Sequence, residues 1–177
     1  MKTKNYVIYV VLVALLAGIV DLLTNVLEAA KVFNPTENHI SLTFVSFVAW
    51  ALYFVVGANV TGAAKAFVSM LFGAVAAVFM FILSIAFGLT PWWAIPLAVF
   101  IVVLFMVPLE KLKFINLAAV FAGTGLFFAA DGQLSTYTIP DYATCVAAEM
   151  LYILIGLTAG WLTIQAYVFS SKLGAKS

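Results

Sequence analysis

The chain is 177 residues long, 66% hydrophobic and only 8% charged, with a mean hydropathy of +1.20. A soluble domain is roughly 45–50% apolar and about 25% charged, so this composition excludes soluble enzymes, nucleic-acid binders and disordered chains and leaves an integral membrane protein. Eight lysines and no arginine stand against seven acidic residues, a net charge of +1, with neither a basic patch for phosphate backbones nor an acidic tail for basic partners.

A membrane-crossing helix needs about 20 apolar residues. Six runs of that kind follow one another, at about 6–26, 40–56, 66–87, 92–109, 114–130 and 142–169. Asn34-Pro35 with Glu37 and His39 separates the first two, and Gly57-Ala58-Asn59 with Gly62 the next two. Gly88-Leu89-Thr90-Pro91 forms a tight turn, Glu110-Lys111-Leu112-Lys113 splits the fourth run from the fifth, and the polar stretch Asp131-Gly132 to Ile139-Pro140-Asp141 precedes the sixth. The runs lack the alternation of barrel strands. The expected fold is all-α, a polytopic bundle of about six transmembrane helices forming one integral membrane domain over residues 1–177. A cleavable leader is disfavoured at the start, where the apolar run is long and carries Asp21.

Lysine placement orients this bundle, because short cytoplasmic loops are enriched in positive charge. With the N-terminus inside, Lys2, Lys4, Lys65, Lys111, Lys113, Lys172 and Lys176 are cytoplasmic and Lys31 alone is outside. Both termini are therefore expected in the cytoplasm. Tyr6, Tyr9 and Tyr167 then fall at the inner interface, and Trp92, Trp93, Tyr137 and Tyr142 at the outer one, as aromatic belts do. Asn59-Val60-Thr61 has the form of a glycosylation acceptor but lies on the cytoplasmic side.

An ionisable residue at membrane depth faces the bundle interior or a watery cavity and is a functional candidate by default. Asp21 and Glu149 qualify, each ~9–10 Å below the outer surface at about 1.5 Å per residue. Ala14, Gly18, Asp21, Asn25 and Glu28 recur at spacings of four and three, one helical face that should point into protein. Glu28, Asp131 and Asp141 at the outer boundary complete an acidic vestibule that would concentrate cations. The competing reading makes Asp21 and Glu149 interior groups bonded to Asn25, Thr24, Tyr152 or a backbone carbonyl, and the loop acids simply solvated.

Gly123-Thr124-Gly125 interrupts the short fifth run, and interrupted helices expose backbone to a solute; these three residues join Asp21, Asn25 and Glu149 in the expected substrate path. Gly57 to Lys65 is a second small-residue stretch, with Lys65 snorkelling to the inner interface. Gly156-Leu157-Thr158-Ala159-Gly160 and the looser Gly73 to Ala77 step are helix-packing motifs. Trp50 and the phenylalanines read as lipid-facing or core packing. Catalytic signatures are missing: one histidine, His39, one cysteine, Cys145, and no serine-hydrolase or zinc motif. No enzymatic activity, cofactor or metal is expected.

The stretch Trp50-Ala-Leu-Tyr-Phe-Val-Val-Gly-Ala-Asn-Val-Thr-Gly-Ala-Ala-Lys-Ala-Phe-Val-Ser69, with Phe114-Ile-Asn-Leu-Ala-Ala-Val-Phe-Ala-Gly-Thr-Gly-Leu-Phe-Phe-Ala129, resembles the YcdZ-like family of small bacterial inner-membrane proteins, a domain-of-unknown-function group. The resemblance covers roughly residues 50–130. It rests on Gly62 and Lys65 after a small-residue loop and on Gly123 and Gly125 in the fifth helix. Where the family carries a proline near the start of that helix, this chain has Ile115-Asn116. The resemblance implies bacterial inner-membrane residence and many spans, and brings no activity with it.

The sequence thus points to a small-solute channel or transporter for a small cation or a small neutral polar solute, with membrane lipids and further copies of itself as partners. A non-transporting accessory or structural membrane protein is the alternative.

Overall fold

A computed structural model describes residues 3–32, 42–88, 91–131 and 138–173. Among these there are six α-helices and no strand: α1 (Thr3–Ala29), α2 (Thr43–Val55), α3 (Val60–Ala86), α4 (Ala94–Met106), α5 (Leu117–Asp131) and α6 (Ile139–Leu173). A 3-10 turn, Val107–Lys111, extends α4. The helix tightens there because Pro108 has no N–H to continue the α-helical ladder. His39, Glu37, the expected start of the second span at Ile40, the loop from Gly132 to Tyr137, and Lys2 and Lys176 lie outside the described residues.

The all-helical fold follows from solvent: in hydrocarbon every backbone N–H and C=O must be satisfied within the segment. Four helices are long and apolar enough to cross a membrane, namely Asn5–Ala29, Val60–Ala86, Ala94–Lys111 and Ile139–Leu173. The protein is therefore a membrane protein. The other two are short: α2 has 13 residues and α5 has 15, about 20–22 Å of helix.

Local chemistry sets several helix ends. Gly57 and Ala58 take positive φ (104° and 52°) to turn the chain sharply after α2, and Asn59 caps α3, its Oδ1 accepting from Gly62 N at 2.8 Å. The small-residue stretch at Gly57–Lys65 is thus a turn and a cap leading into α3, with Lys65 half-buried in its first turns. Asn116 plays the same part for α5, accepting from Ala119 N at 3.0 Å. Its own N–H donates to Ser69 Oγ on α3 at 2.9 Å.

Helix directions alternate along the chain. The α2–α6 pair runs parallel, since Ser46 bonds Tyr152 and Tyr53 meets Gly160. The α3–α5 pair is also parallel, Ser69 meeting Asn116 and Gly73 meeting Val120 and Thr124. Against α6, α1 is antiparallel: Tyr9 stacks edge-on with Tyr167 while Thr24 reaches Tyr152. Against α3, α4 is antiparallel too, with Phe87 beside Trp93. The start of α1 and the end of α6 therefore lie at one end of the bundle.

The core is built by close helix approach. A Cβ on Gly156 would lie 2.0 Å from Ser46 O, one on Gly160 2.5 Å from the Tyr53 ring, one on Gly73 2.0 Å from Val120 O, and one on Gly123 2.2 Å from Met70 O. Small residues let backbones meet where lipid supplies no hydrophobic drive between helices. Large apolar side chains cover the outside, Trp92 at 88% exposure being the extreme, as a lipid-facing surface requires.

Candidate functional site

The end of α1, the start of α2 and the first half of α6 hold a polar cluster. α2 begins at Leu42 and Thr43 with no side-chain cap of its own. Glu28, half-buried near the end of α1, supplies one: its Oε1 accepts from Leu42 N at 2.8 Å and Thr43 N at 3.2 Å. A carboxylate at a helix N-terminus satisfies orphan N–H groups and the helix dipole together. Thr43 Oγ lies 2.9 Å from the fully buried Thr24 Oγ and 3.2 Å from Glu28 Oε1. Thr24 Oγ in turn is within bonding distance of the Val20 and Asp21 carbonyls, and Tyr152 Oη from α6 reaches Thr24 O at 3.4 Å. Glu28 is thus engaged in holding α1 to α2. Glu28→Ala should cost about 1 kcal/mol, the scale of a lost helix cap, read as a lowered thermal midpoint in nanodiscs with unchanged helicity.

Glu149 is the outlier of the interior. It sits ten residues into α6, about 15 Å along the helix, is 0% exposed, and neither carboxyl oxygen has a hydrogen-bond partner. Tyr142, Glu149 and Gly156 are spaced by seven and share one stripe of α6. Tyr142 stacks with Phe81 of α3 and meets Phe127 of α5 at a tilt, and Gly156 is seated on Ser46 of α2. Glu149 lies between them on that stripe, between a contact with α3 and α5 and one with α2. The partners expected for it from sequence are taken: Tyr152 Oη and Thr24 bond each other, and Asn25 bonds Asp21.

The other expected path residues are not brought to Glu149. Ala14, Gly18, Asp21 and Asn25 are exposed on the outer surface of α1, and a Cβ on Gly18 would meet nothing within 4 Å. The expectation that this face points into the protein is corrected: the packed stripe is Val13, Leu16, Ala17, Val20 and Thr24, against Trp50 and Ala159. An aliphatic stripe with one threonine fits the α6 surface more closely than a carboxylate does. Asp21 bonds within its own helix, Asn25 Nδ2 donating to Asp21 Oδ2 at 3.2 Å and to its carbonyl at 2.8 Å.

The fifth helix is continuous, so the expected interruption at Gly123-Thr124-Gly125 is also corrected. Gly123 packs on the Met70 backbone, and buried Thr124 donates toward the Gly73 and Val120 carbonyls, each 3.0 Å away. These residues join α5 to α3. Gly125 is exposed, with open space around it. Of the vestibule acids, Glu28 caps α2, Asp141 Oδ2 accepts from Thr138 N at 3.0 Å and from its hydroxyl, and the Asp131 side chain lies outside the described residues. Trp50 is a core residue whose Nε1 donates to Thr163 Oγ at 3.0 Å.

Three cavities of about 560, 390 and 270 Å³ lie in grooves between helices and are lined by apolar side chains, for example Phe79 and Phe105 in the first. Glu149 lines none of the three. Among the described residues there is no group of three or more histidine, cysteine or acidic side chains able to hold a metal ion.

A family model described as a protein of unknown function, DUF1097, matches residues 10–166. The chain belongs to the DUF1097 family. That span runs from α1 through most of α6 and includes Asp21, Glu28, Thr124 and Glu149. No curated protein and no solved structure matches the chain.

Proposed function

We propose that this protein is a carrier of small cations, protons included, in a bacterial inner membrane, with Glu149 as the ion-binding group. The observation that carries the reading is a carboxyl wholly buried within a membrane-crossing helix with both oxygens unbonded. An uncompensated carboxylate there costs several kcal/mol, and a bound proton or cation supplies the missing partner. The closed core around it fits an occluded carrier rather than an open channel, and no enzymatic chemistry is part of the reading.

Residence and topology complete the proposal. Resemblance of residues 50–69 and 114–129 to the YcdZ-like group supports a bacterial inner membrane. Six spans, with α2 and α5 as short ones, and cytoplasmic termini are supported by the alternating helix directions and by Lys65, Lys111, Lys113 and Lys172 gathering at the end where α1 begins and α6 finishes. Purified protein in liposomes, probed separately for proton, sodium and potassium flux under an imposed potential, tests the function. Flux of one of these ions is expected; an inert protein in all three assays, with no facilitated movement of small neutral solutes, would sink it. The apolar lining of the three cavities favours the second reading, an accessory protein without transport.

A homo-oligomer belongs to the same proposal. Asp21 and Asn25, exposed on a span otherwise facing lipid, gain partners if a second copy covers them, and Ala14 and Gly18 beside them permit close approach. Asp21→Leu should weaken self-association roughly tenfold, the equivalent of about 1–2 kcal/mol per interhelical polar contact, measured by native mass in nanodiscs. A wild-type monomer in that measurement, or unchanged association of the variant, would contradict it.

A further inference from the structure

The six helices form two bundles with the same internal wiring. α6 packs antiparallel to α1 and parallel to α2, while α3 packs antiparallel to α4 and parallel to α5. Each half of the chain, α1–α2–α3 or α4–α5–α6, therefore gives its first two helices to one bundle and its third to the other. In both halves the middle helix is short, 13 and 15 residues, and the third is long, 27 and 35 residues.

The correspondence reaches individual residues. Ser46 and Thr124, 78 positions apart, each donate across a parallel helix pair to a backbone carbonyl. The two acceptors, Tyr152 O and Gly73 O, are 79 positions apart. In each pair a glycine of the third helix is seated on a carbonyl of the second, Gly156 on Ser46 and Gly73 on Val120, contacts of the same kind that sit one helical turn off that register. At a shift of 79, Glu149 falls on Met70, and both side chains are fully buried. Three helices of alternating direction per half mean that the second half crosses the bundle in the opposite sense to the first, the arrangement of inverted-repeat carriers.

The seam between the bundles carries aromatic and aliphatic contacts. The interhelical hydrogen bonds described above, Ser46–Tyr152, Trp50–Thr163, Thr24–Tyr152 and the Glu28 cap on one side, Asn116–Ser69 and Thr124–Gly73 on the other, each stay within one bundle. Across the seam, the Phe81 and Phe127 rings pack on Tyr142 at one end. At the other end, Tyr53, Phe67, Leu157 and Trp161 line the 390 Å³ groove. Glu149 lies between these two ends. Bundles that are hydrogen-bonded within and pack on one another through such contacts can slide or rock as units.

We propose that the protein is an inverted duplication with exchanged third helices, whose α1–α2–α6 and α3–α4–α5 bundles move against each other to open Glu149 alternately to the two sides of the membrane. The movement rests on the carrier reading, whereas the duplication does not.

Spin labels on exposed positions of the full-length protein in nanodiscs, in a Cys145→Ala background, test it. Ile85 with Ile139 reports the seam at one end, Phe114 with Phe169 the seam at the other, and Val55 with Phe169 lies within one bundle; all five residues are exposed in the structure. The two seam pairs should each show two distances whose populations shift in opposite directions between acidic and alkaline buffer, while the third pair holds a single distance. One fixed distance in both seam pairs under every condition overturns the moving seam. Shifting seam distances without ion flux uphold it and count against the cation assignment alone. Cysteine accessibility in oriented vesicles supplies the second measurement: labels before α1 and before α4 must react from opposite sides, and reaction from the same side overturns the inverted duplication.

Discussion

Glu149→Met should abolish cation flux and leave the protein folded. The substitution trades the buried carboxyl for an unbranched apolar side chain that the corresponding position, Met70, already accommodates without exposure. A buried polar group without hydrogen bonds costs about 1–3 kcal/mol in mutational data, and this carboxyl has no bonded oxygen. Its removal should therefore stabilise the protein by about that amount, read as a raised thermal midpoint in nanodiscs. Stability rising while flux disappears marks a group retained for work at the expense of the fold. Flux that survives in a stabilised Glu149→Met protein removes Glu149 from the transport path. A marked loss of stability would mean that the carboxyl holds the helices together.

Gly156→Ala and Gly73→Ala should be strongly damaging single-methyl changes. Each new Cβ would stand 2.0 Å from a backbone carbonyl of the partner helix, Ser46 O or Val120 O. A carbonyl inside a continuous helix cannot turn aside as a flexible side chain can, so the helices must separate. Overpacking a tight core costs about 1–3 kcal/mol and sometimes more; the upper end is expected at both sites, with lowered thermal midpoints and, on Gly156→Ala, loss of the Trp50–Thr163 bond seen as a shift in tryptophan fluorescence. Gly125→Ala is the control. Open space surrounds that glycine, and removing a helical glycine gains up to about 1 kcal/mol. Similar damage at Gly73 and Gly156 would agree with two equivalent helix pairs; damage at only one would show that the pairs differ in how closely they must pack.

Much of the architecture was legible because solvent imposes it. Long apolar runs, turn residues at Gly57, Gly88 and Pro91, and charge at Glu110–Lys113 mark helix positions to within six residues, the largest miss being the start of α3 at Val60 rather than Ala66, since a segment in lipid has almost no choice but to be helical. The Gly156–Gly160 packing motif was legible for a similar reason, small residues at a spacing of four being useful mainly for close approach. Glu149 stood out by its cost. Less visible was the division of labour among acids. Glu28 reads as a boundary carboxylate, yet it caps α2; the missing cap at Leu42–Thr43 was the available sign that another helix must provide one.

Sequence alone determined that this is an all-helical membrane protein, where its helices lie along the chain, and which residues are too polar for their depth. Only the tertiary structure decided which side of each helix is inside. α1 is apolar around most of its circumference, so its periodicity marks Asp21 and Asn25 as one face without saying whether protein or lipid meets it; the fit of Val20 and Thr24 against α6 turns that face outward. Likewise Gly123-Thr124-Gly125 could serve a solute or a neighbouring helix, and the approach of Met70 and Gly73 assigns it to packing. The exchange of α3 and α6 between bundles depends on contacts between residues about 50 to 110 positions apart, and no local pattern of hydrophobicity carries information over that range.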